Sequence, residues 1–549
     1  MSETHAAAPW WSRHPAAAAA LLGFVVHIGS LAGGFLYDDQ RVILENTSLF
    51  DLGNLRWVLS YDKTRPLLNL TWALNYAVSG YAPWSYHMVN LALHAANAAL
   101  VTLLFGRLTR DRGPRLAFAA GALFAVTPMA VETVGYVASR STALATLFML
   151  ITLLLAIEGL ERGSWTYIAG ALGANLLALA SKEEAASIPL YLLLLDLFFL
   201  SATVSGVTTR WRRHVPFWSL PVLALVAHRV LLGRWLPEPA IDPWRYAVTQ
   251  LALFPRYLAR AVVPLDPAFY RGTPAPWPPD ATNVLTAAIA IGLFVLAFRW
   301  RARRPEGAFA VFWMAAGLLP SSSLVALKEM EVDHRAYLGG AAALFAVASF
   351  ALRAARGRWL VAWGIVLALV SMRYQWVLMN PIRAWSDAAR RAPESLEAVR
   401  QLGEAHAAHG DSQDAERELR RALVLDETDP RAWTNLGAIW LETGRRQEAI
   451  EAFRRAAELA PRDARIRDNL ATVLRAAGDI DGAIQELEAA LVGEPRLAHP
   501  RIALASILID RREFARARAL IEEVRQTPRD VQDEADLDQV LAKLYEHDQ

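Results

Sequence analysis

Eleven apolar stretches, each about as long as a bilayer is thick, fill the first 380 residues and leave few folds open. They run at about 16–36, 86–106, 115–132, 140–157, 165–181, 185–203, 215–233, 283–299, 306–324, 336–352 and 358–379. A helix needs roughly twenty apolar residues to cross the hydrocarbon core. Inside it every backbone N–H and C=O must be paired within the segment, so runs of this kind read as helices. The expected fold class is therefore all-α, beginning with a polytopic bundle of about eleven spans over residues 1–380. The stretch 246–263 is left out because it carries Pro255, Arg256 and Arg260; it reads as an interfacial or re-entrant helix. Gly33-Gly34-Phe35-Leu36-Tyr37 offers no small-x-small cleavage site, so the first run reads as an uncleaved span.

Basic clusters orient the bundle. Arg107, Arg110, Arg112 and Arg115 occupy one turn, Arg162 a second, and Arg210, Arg212 and Arg213 a third. Arg299, Arg301, Arg303 and Arg304, then Arg353, Arg356 and Arg358, mark two more. Basic turns face the cytoplasm. This predicts a cytoplasmic N-terminus and puts the long loops 37–85 and 234–282 on the outer side, with everything after residue 380. Within the first loop, 54–60 and 66–79 read as short amphipathic helices on the membrane surface.

The composition changes after about residue 380, where Arg, Glu, Asp and Ala replace the apolar runs. After a linker at 381–395, residues 396–529 repeat every 34 positions. Gly403 and Gly437 align with Ala471 and Ala505, and Gly410 with Gly444 and Gly478. Ala415, Ala449, Ala483 and Ala517 align too, as do Ala422, Ala456 and Ala490. The fullest copy, Pro430–Asp463, carries Trp433, Leu436, Trp440, Phe453 and Pro461. This is the tetratricopeptide (TPR) pattern of paired antiparallel helices. Four copies predict an α-solenoid, and 530–549 reads as a capping helix. A net charge of +2 gives no basis for nucleic-acid binding, and with no cysteine there is neither a disulfide nor a thiolate site.

Polar residues at span ends are the candidates for chemistry. Asp38 and Asp39 follow the first run directly; acidic residues there also simply mark where water begins. His87, Asn90, His94 and Asn97 share one face of the second span, suiting either a site or helix–helix hydrogen bonds. Histidines two turns apart do not suit a metal. Glu132 and Arg140 are eight apart, and form an ion pair or bind substrate together. Lys182 lies in a short outer turn beside Glu183, where it binds a phosphate or snorkels to the interface. The segment Lys328–Arg335 mixes both charge signs next to Tyr337, and the planar fork of Arg335 suits a phosphate.

Several of these stretches resemble the GT-C glycosyltransferases, and more narrowly the transmembrane-and-TPR protein O-mannosyltransferases and their bacterial relatives. They are Tyr37-Asp38-Asp39; Arg65-Pro66-Leu67-Leu68 with Asn75-Tyr76 and Pro83 through Asn90 and His94; Pro128 with Glu132 through Arg140; Ser181-Lys182-Glu183; and Asp333 through Leu338. Where the family usually has histidines around the proline, this chain has Thr127-Pro128-Met129-Ala130-Val131, a departure that bears on donor or acceptor identity. The resemblance implies transfer of a sugar, mannose by preference, from a polyprenyl-phosphate donor to a hydroxyl acceptor, protein Ser/Thr included, on the outer side. It implies Asp38 or Asp39 as general base and Arg335, Lys182 or Arg140 at the donor phosphate. Arg65, His87, Asn90, His94, Glu132, Glu183, His334 and Tyr337 are the expected substrate contacts. No metal ligands are assigned; whether a divalent metal takes part is left open, since related enzymes differ. The expected partners are the lipid-linked donor, membrane lipids, and an acceptor or envelope protein on the repeats. The expected location is a bacterial inner membrane, with the repeats in the periplasm. The alternative is a non-catalytic membrane-anchored TPR scaffold for envelope assembly.

Overall fold

A computed structural model describes residues 9–50, 52–201, 203–233, 241–263, 266–273, 276–324, 329–495, 497–525 and 531–547. Parts of the expected 234–282 loop, Lys328 and the last residues of the expected cap lie outside these. Among the described residues the chain is helical with no strand, and it divides into two units, Met1–Ala384 and Trp385–Gln549.

In the first unit, prolines open many of the helices. Pro15, Pro66, Pro83, Pro114, Pro243 and Pro305 all stand at the first turn, where a missing N–H costs nothing. Among the described residues, six helical segments are long and apolar enough to cross a membrane: Pro15–Ala32, Pro83–Leu108, Val137–Arg162, Ala281–Trp300, Asp333–Arg353 and Gly357–Leu378. The expected count of eleven is therefore not reached on length and composition. Pro114–Val126 and Trp165–Leu179 are apolar but shorter. Ile188–Leu195 and Pro305–Leu319 each end in a wider turn. Val204–Leu232 is long but carries Arg210, Arg212, Arg213 and Arg229 with two internal prolines. The amphipathic Pro243–Val262 helix buries Tyr246, Gln250, Leu253 and Tyr257 and packs on Ala281–Trp300 and Tyr337–Arg353.

An apolar core joins the helices, with Phe105 stacked on Phe345 at 4.3 Å between ring centres. A Cβ on Gly121 would stand 1.8 Å from Thr102 Oγ1, so only glycine lets those two helices approach. The basic turns gather at one end of the bundle. There Glu306 accepts from Arg112 (2.5 Å) and from Arg353, while Arg107 pairs with Glu158 at 2.7 Å.

In the second unit, four helix pairs begin at Leu396, Pro430, Ala464 and Ala498, each 34 residues after the last. A Cβ at Gly403 would meet Leu419 at 2.7 Å, and one at Gly437 would meet Phe453 at 3.1 Å. Val531–His547 closes the stack through Leu537, Val540 and Leu544. The stretch expected as a linker carries a helix, Pro381–Arg391, in which Asp387 pairs with Arg390 and Arg391.

Candidate active site

The end of the bundle opposite the basic turns is built from short connections rather than long helices. The first of these holds the aspartate pair. Tyr37 takes a left-handed conformation, φ 54°, which costs a non-glycine residue about 1–2 kcal/mol. The two residues that follow differ in environment. Asp39 is fully buried; its Oδ2 accepts the Leu36 N–H at 2.9 Å and its Oδ1 the Ala138 N–H at 2.7 Å. Burial pushes its carboxyl up to about 8, with the charge of Asp38 adding to the rise and the backbone N–H bonds opposing it. The Asp38 side chain is 45% exposed and stands 3.9 Å from Arg41, while its backbone N–H donates to the Tyr136 hydroxyl at 3.1 Å.

Distant segments meet here. The Tyr37 hydroxyl donates to Glu329 at 3.1 Å, and Phe269 packs edge-on against both Tyr37 and Tyr136. Glu132, one turn before Tyr136, is 4% exposed and holds His334: Oε1 lies 2.5 Å from Nδ1, and Oε2 accepts the His334 N–H at 3.1 Å. Burial works to raise the Glu132 carboxyl, but His334, with the Lys182 charge behind it, holds it below the ordinary carboxylate range. Lys182 is buried, donating to Thr142 at 2.7 Å and pairing with Glu184 at 3.0 Å. Arg65 and Glu183 pair at 3.0 Å nearer the surface.

Arg335 is 5% exposed and donates to the carbonyls of Glu329 (2.7 Å) and Met330 (3.3 Å) and to the Tyr246 hydroxyl (3.4 Å). Among the described residues no carboxylate lies within ion-pair distance of it. Its charge is hydrogen-bonded but not neutralised, a state that favours an incoming anion.

Other expected contacts lie inside the bundle. Arg140 is fully buried and donates to Asn90 Oδ1 (2.9 Å), the Tyr86 carbonyl (3.0 Å) and Thr71 (3.2 Å). It is enclosed by these partners and makes no ion pair with Glu132. The helix Arg140–Arg162 begins with this residue, and its side chain turns inward to Asn90 and Tyr86 on the Pro83–Leu108 helix. His94 sits between the Tyr337 hydroxyl (2.7 Å) and the Ala125 carbonyl (3.0 Å), and His87 faces the Gly34 carbonyl at 3.3 Å. His87, Asn90 and His94 are fully buried and Tyr337 nearly so.

Sequence reasoning missed a charged network beside the site. Glu331 is paired with Arg260 and Arg256, and Asp333 with Arg271 (3.1 Å) and Arg260 (3.3 Å). Arg256 and Arg260, four apart on an amphipathic helix, were the available signal. Among the described residues no group of three or more His, Asp or Glu is placed to hold a metal ion.

Residues 380–540 match the model of the Cilia and flagella-associated protein 70 C-terminal domain. Protein O-mannosyl-transferase TMTC2 of Mus musculus is 33% identical over 169 residues, 27% of this chain and 20% of that protein. Protein O-mannosyl-transferase Tmtc2 of Drosophila melanogaster is 36% identical over 149 residues, 24% of this chain and 16% of that protein. The chain thus spans about a fifth of the length of the curated relatives it matches. The solved structure of MamA covers 26% of this chain and 85% of its own at 24% identity, with a TM-score of 0.25. With apolar helices in one unit and 34-residue helix pairs in the other, the chain is similar to the transmembrane-and-TPR protein O-mannosyl-transferases.

Proposed function

We propose that the protein is a membrane glycosyltransferase that moves a sugar, mannose by resemblance, from a polyprenyl-phosphate donor to a hydroxyl of a protein acceptor. One observation carries this reading. A half-exposed carboxylate, Asp38, and an un-neutralised guanidinium, Arg335, belong to two segments bridged by the Tyr37–Glu329 hydrogen bond. Asp38 accepts the proton of the acceptor hydroxyl as its oxygen attacks the anomeric carbon. Asp39 is a positioning residue: its two backbone hydrogen bonds fix the turn that presents Asp38. Arg335 offsets charge on the departing lipid phosphate, and Lys182 acts behind it through Glu132 and Glu184 rather than at the phosphate. Arg65 and Glu183 line the approach. The site faces the outer side of a bacterial inner membrane, the N-terminus is cytoplasmic, and the repeats offer a surface to the acceptor or an envelope partner.

The test uses the full chain in lipid nanodiscs with polyprenyl-phosphate mannose and a mixture of Ser- and Thr-containing peptides. Transfer by the unsubstituted protein and a loss of about 10²-fold or more in Asp38→Asn are expected. No transfer from any polyprenyl-phosphate sugar would sink the reading; an unchanged rate in Asp38→Asn would sink the base.

A further inference from the structure

Glu132 is a buried carboxylate whose hydrogen bonds all go to one residue. Oε1 takes Nδ1 of His334 and Oε2 takes the His334 backbone N–H, across 202 residues of sequence. A structural ion pair needs only one of these contacts; the two together fix the ring's rotation as well as its place. Nε2, the other ring nitrogen, has no hydrogen-bond partner among the described residues, and the side chain is 19% exposed. A carboxylate on one imidazole nitrogen fixes the proton there, and Nε2 delivers a proton when the ring carries one on each nitrogen.

We infer that His334, oriented by Glu132, is the general acid that delivers a proton to the departing lipid phosphate. This rests on the glycosyl-transfer reading above. As the acceptor oxygen bonds to the anomeric carbon, the bond from that carbon to the phosphate oxygen breaks and its electron pair stays on the phosphate. The phosphodiester carries one negative charge and the leaving monoester would carry two. Arg335, the next residue, offsets one of them. A proton from Nε2 removes the other, and the hydroxyl proton held by Asp38 returns to His334 through water. The acceptor proton thus ends on the phosphate, and the protein is unchanged. Asp38 and His334 belong to segments linked twice, by Tyr37 to Glu329 and by Asp38 to Tyr136, one turn beyond Glu132.

The charged groups around the ring are few. Glu132 and, behind it, Lys182 face it from one side. Asp333 and Arg335 flank it in the chain, and Asp333 is engaged by Arg260 and Arg271. Glu132 is the group in contact with the imidazole and fixes its orientation.

The experiment measures transfer from polyprenyl-phosphate mannose against pH for the full chain and for His334→Gln, His334→Ala and Glu132→Gln. His334→Gln should lose about 10²-fold in kcat with little change in donor KM. Glu132→Gln, which leaves the ring unfixed, should lower kcat by about tenfold or more with little change in donor KM. Imidazole in the buffer should restore part of the rate to His334→Ala, which a purely structural role would not produce. A near-normal kcat in Glu132→Gln or in His334→Gln overturns the acid, as does a folded His334→Ala that imidazole does not rescue. Should His334→Gln fail to fold, kcat of Glu132→Gln decides alone. Loss of transfer in Asp38→Asn with His334→Gln intact leaves the transferase reading standing and removes the acid alone. If the unsubstituted protein transfers nothing, both fall.

Discussion

The two units handle polar side chains in opposite ways. In the membrane unit the decisive bonds join residues far apart in sequence and away from water: Glu132 to His334, Arg140 to Asn90, Lys182 to Thr142. In the repeat unit many pairs are three or four residues apart, and several are exposed, such as Arg516 with Glu513 and Arg455 with Glu458. Charge follows the same division. Residues 1–384 carry 32 Lys and Arg against 21 Asp and Glu; residues 385–549 carry 24 against 33. The difference teaches how to read a charge. A buried donor that loses its partner leaves a desolvated group behind, which costs far more than the bond was worth. An exposed pair loses a few tenths of a kcal/mol, because water replaces the partner.

Arg140→Lys tests the strong end of this contrast. A lysine keeps the charge, but its single ammonium cannot reach Asn90, Thr71 and Tyr86 together from one position. The expected loss is about 3 kcal/mol, seen as a clear drop in thermal unfolding temperature of the purified full chain. A change within about 0.5 kcal/mol would show that burial does not distinguish this unit from the repeats.

Asp39→Asn comes next, and its signature is a pH dependence. The folded-state value of about 8 lies above the ordinary 3.8, so the folded protein binds this proton more tightly than the unfolded chain does. The stability this proton confers is complete below about pH 4 and is lost as pH rises through 8. The unsubstituted protein should therefore lose thermal stability between about pH 4 and 8. Asp39→Asn, with nothing to ionise, should show a flatter profile across that window. Parallel profiles would mean that Asp39 is ionised when folded, and its assignment as a buried positioning residue would need revision.

The same contrast explains what could be read beforehand. A 34-residue period and apolar runs are local patterns, so the solenoid was legible, and so was the existence of a helical membrane unit. The aspartate pair was legible because two charges directly after a span stand out. The partners of its neighbours were not. Glu132 finds His334 202 positions later, and no spacing announces that. Arg140 and Glu132, eight apart, suggested a shared face. A break at Tyr136–Ser139 between two helices turns them apart instead. The network of Arg260 and Arg271 with Glu331 and Asp333 is not legible in sequence, where Arg260 reads only as an obstacle to spanning.

The repeat unit contains its own internal comparison, with smaller expected effects. Gly410, Gly444 and Gly478 close the turn inside the first three pairs at φ 81°, 80° and 88°. The fourth pair has Arg512 at the equivalent position, φ 62°, where a side chain is strained. Nothing lies within 4 Å of a Cβ at Gly444, so Gly444→Ala isolates the backbone cost and should destabilise by about 1 kcal/mol. Arg512→Gly should move the other way by about 0.5–1 kcal/mol, the relief of strain being partly offset by the greater freedom of glycine in the unfolded chain. Denaturant unfolding of the full chain, followed by tryptophan emission, measures both. Glu513→Ala, next to Arg512, removes an exposed partner of Arg516 three residues on and sets the floor at no more than about 0.5 kcal/mol. If Arg512→Gly were no larger than that floor, the left-handed turn would be stabilised by something other than its glycine, and the first three glycines would then have to be explained by packing, which the open space around each of them argues against.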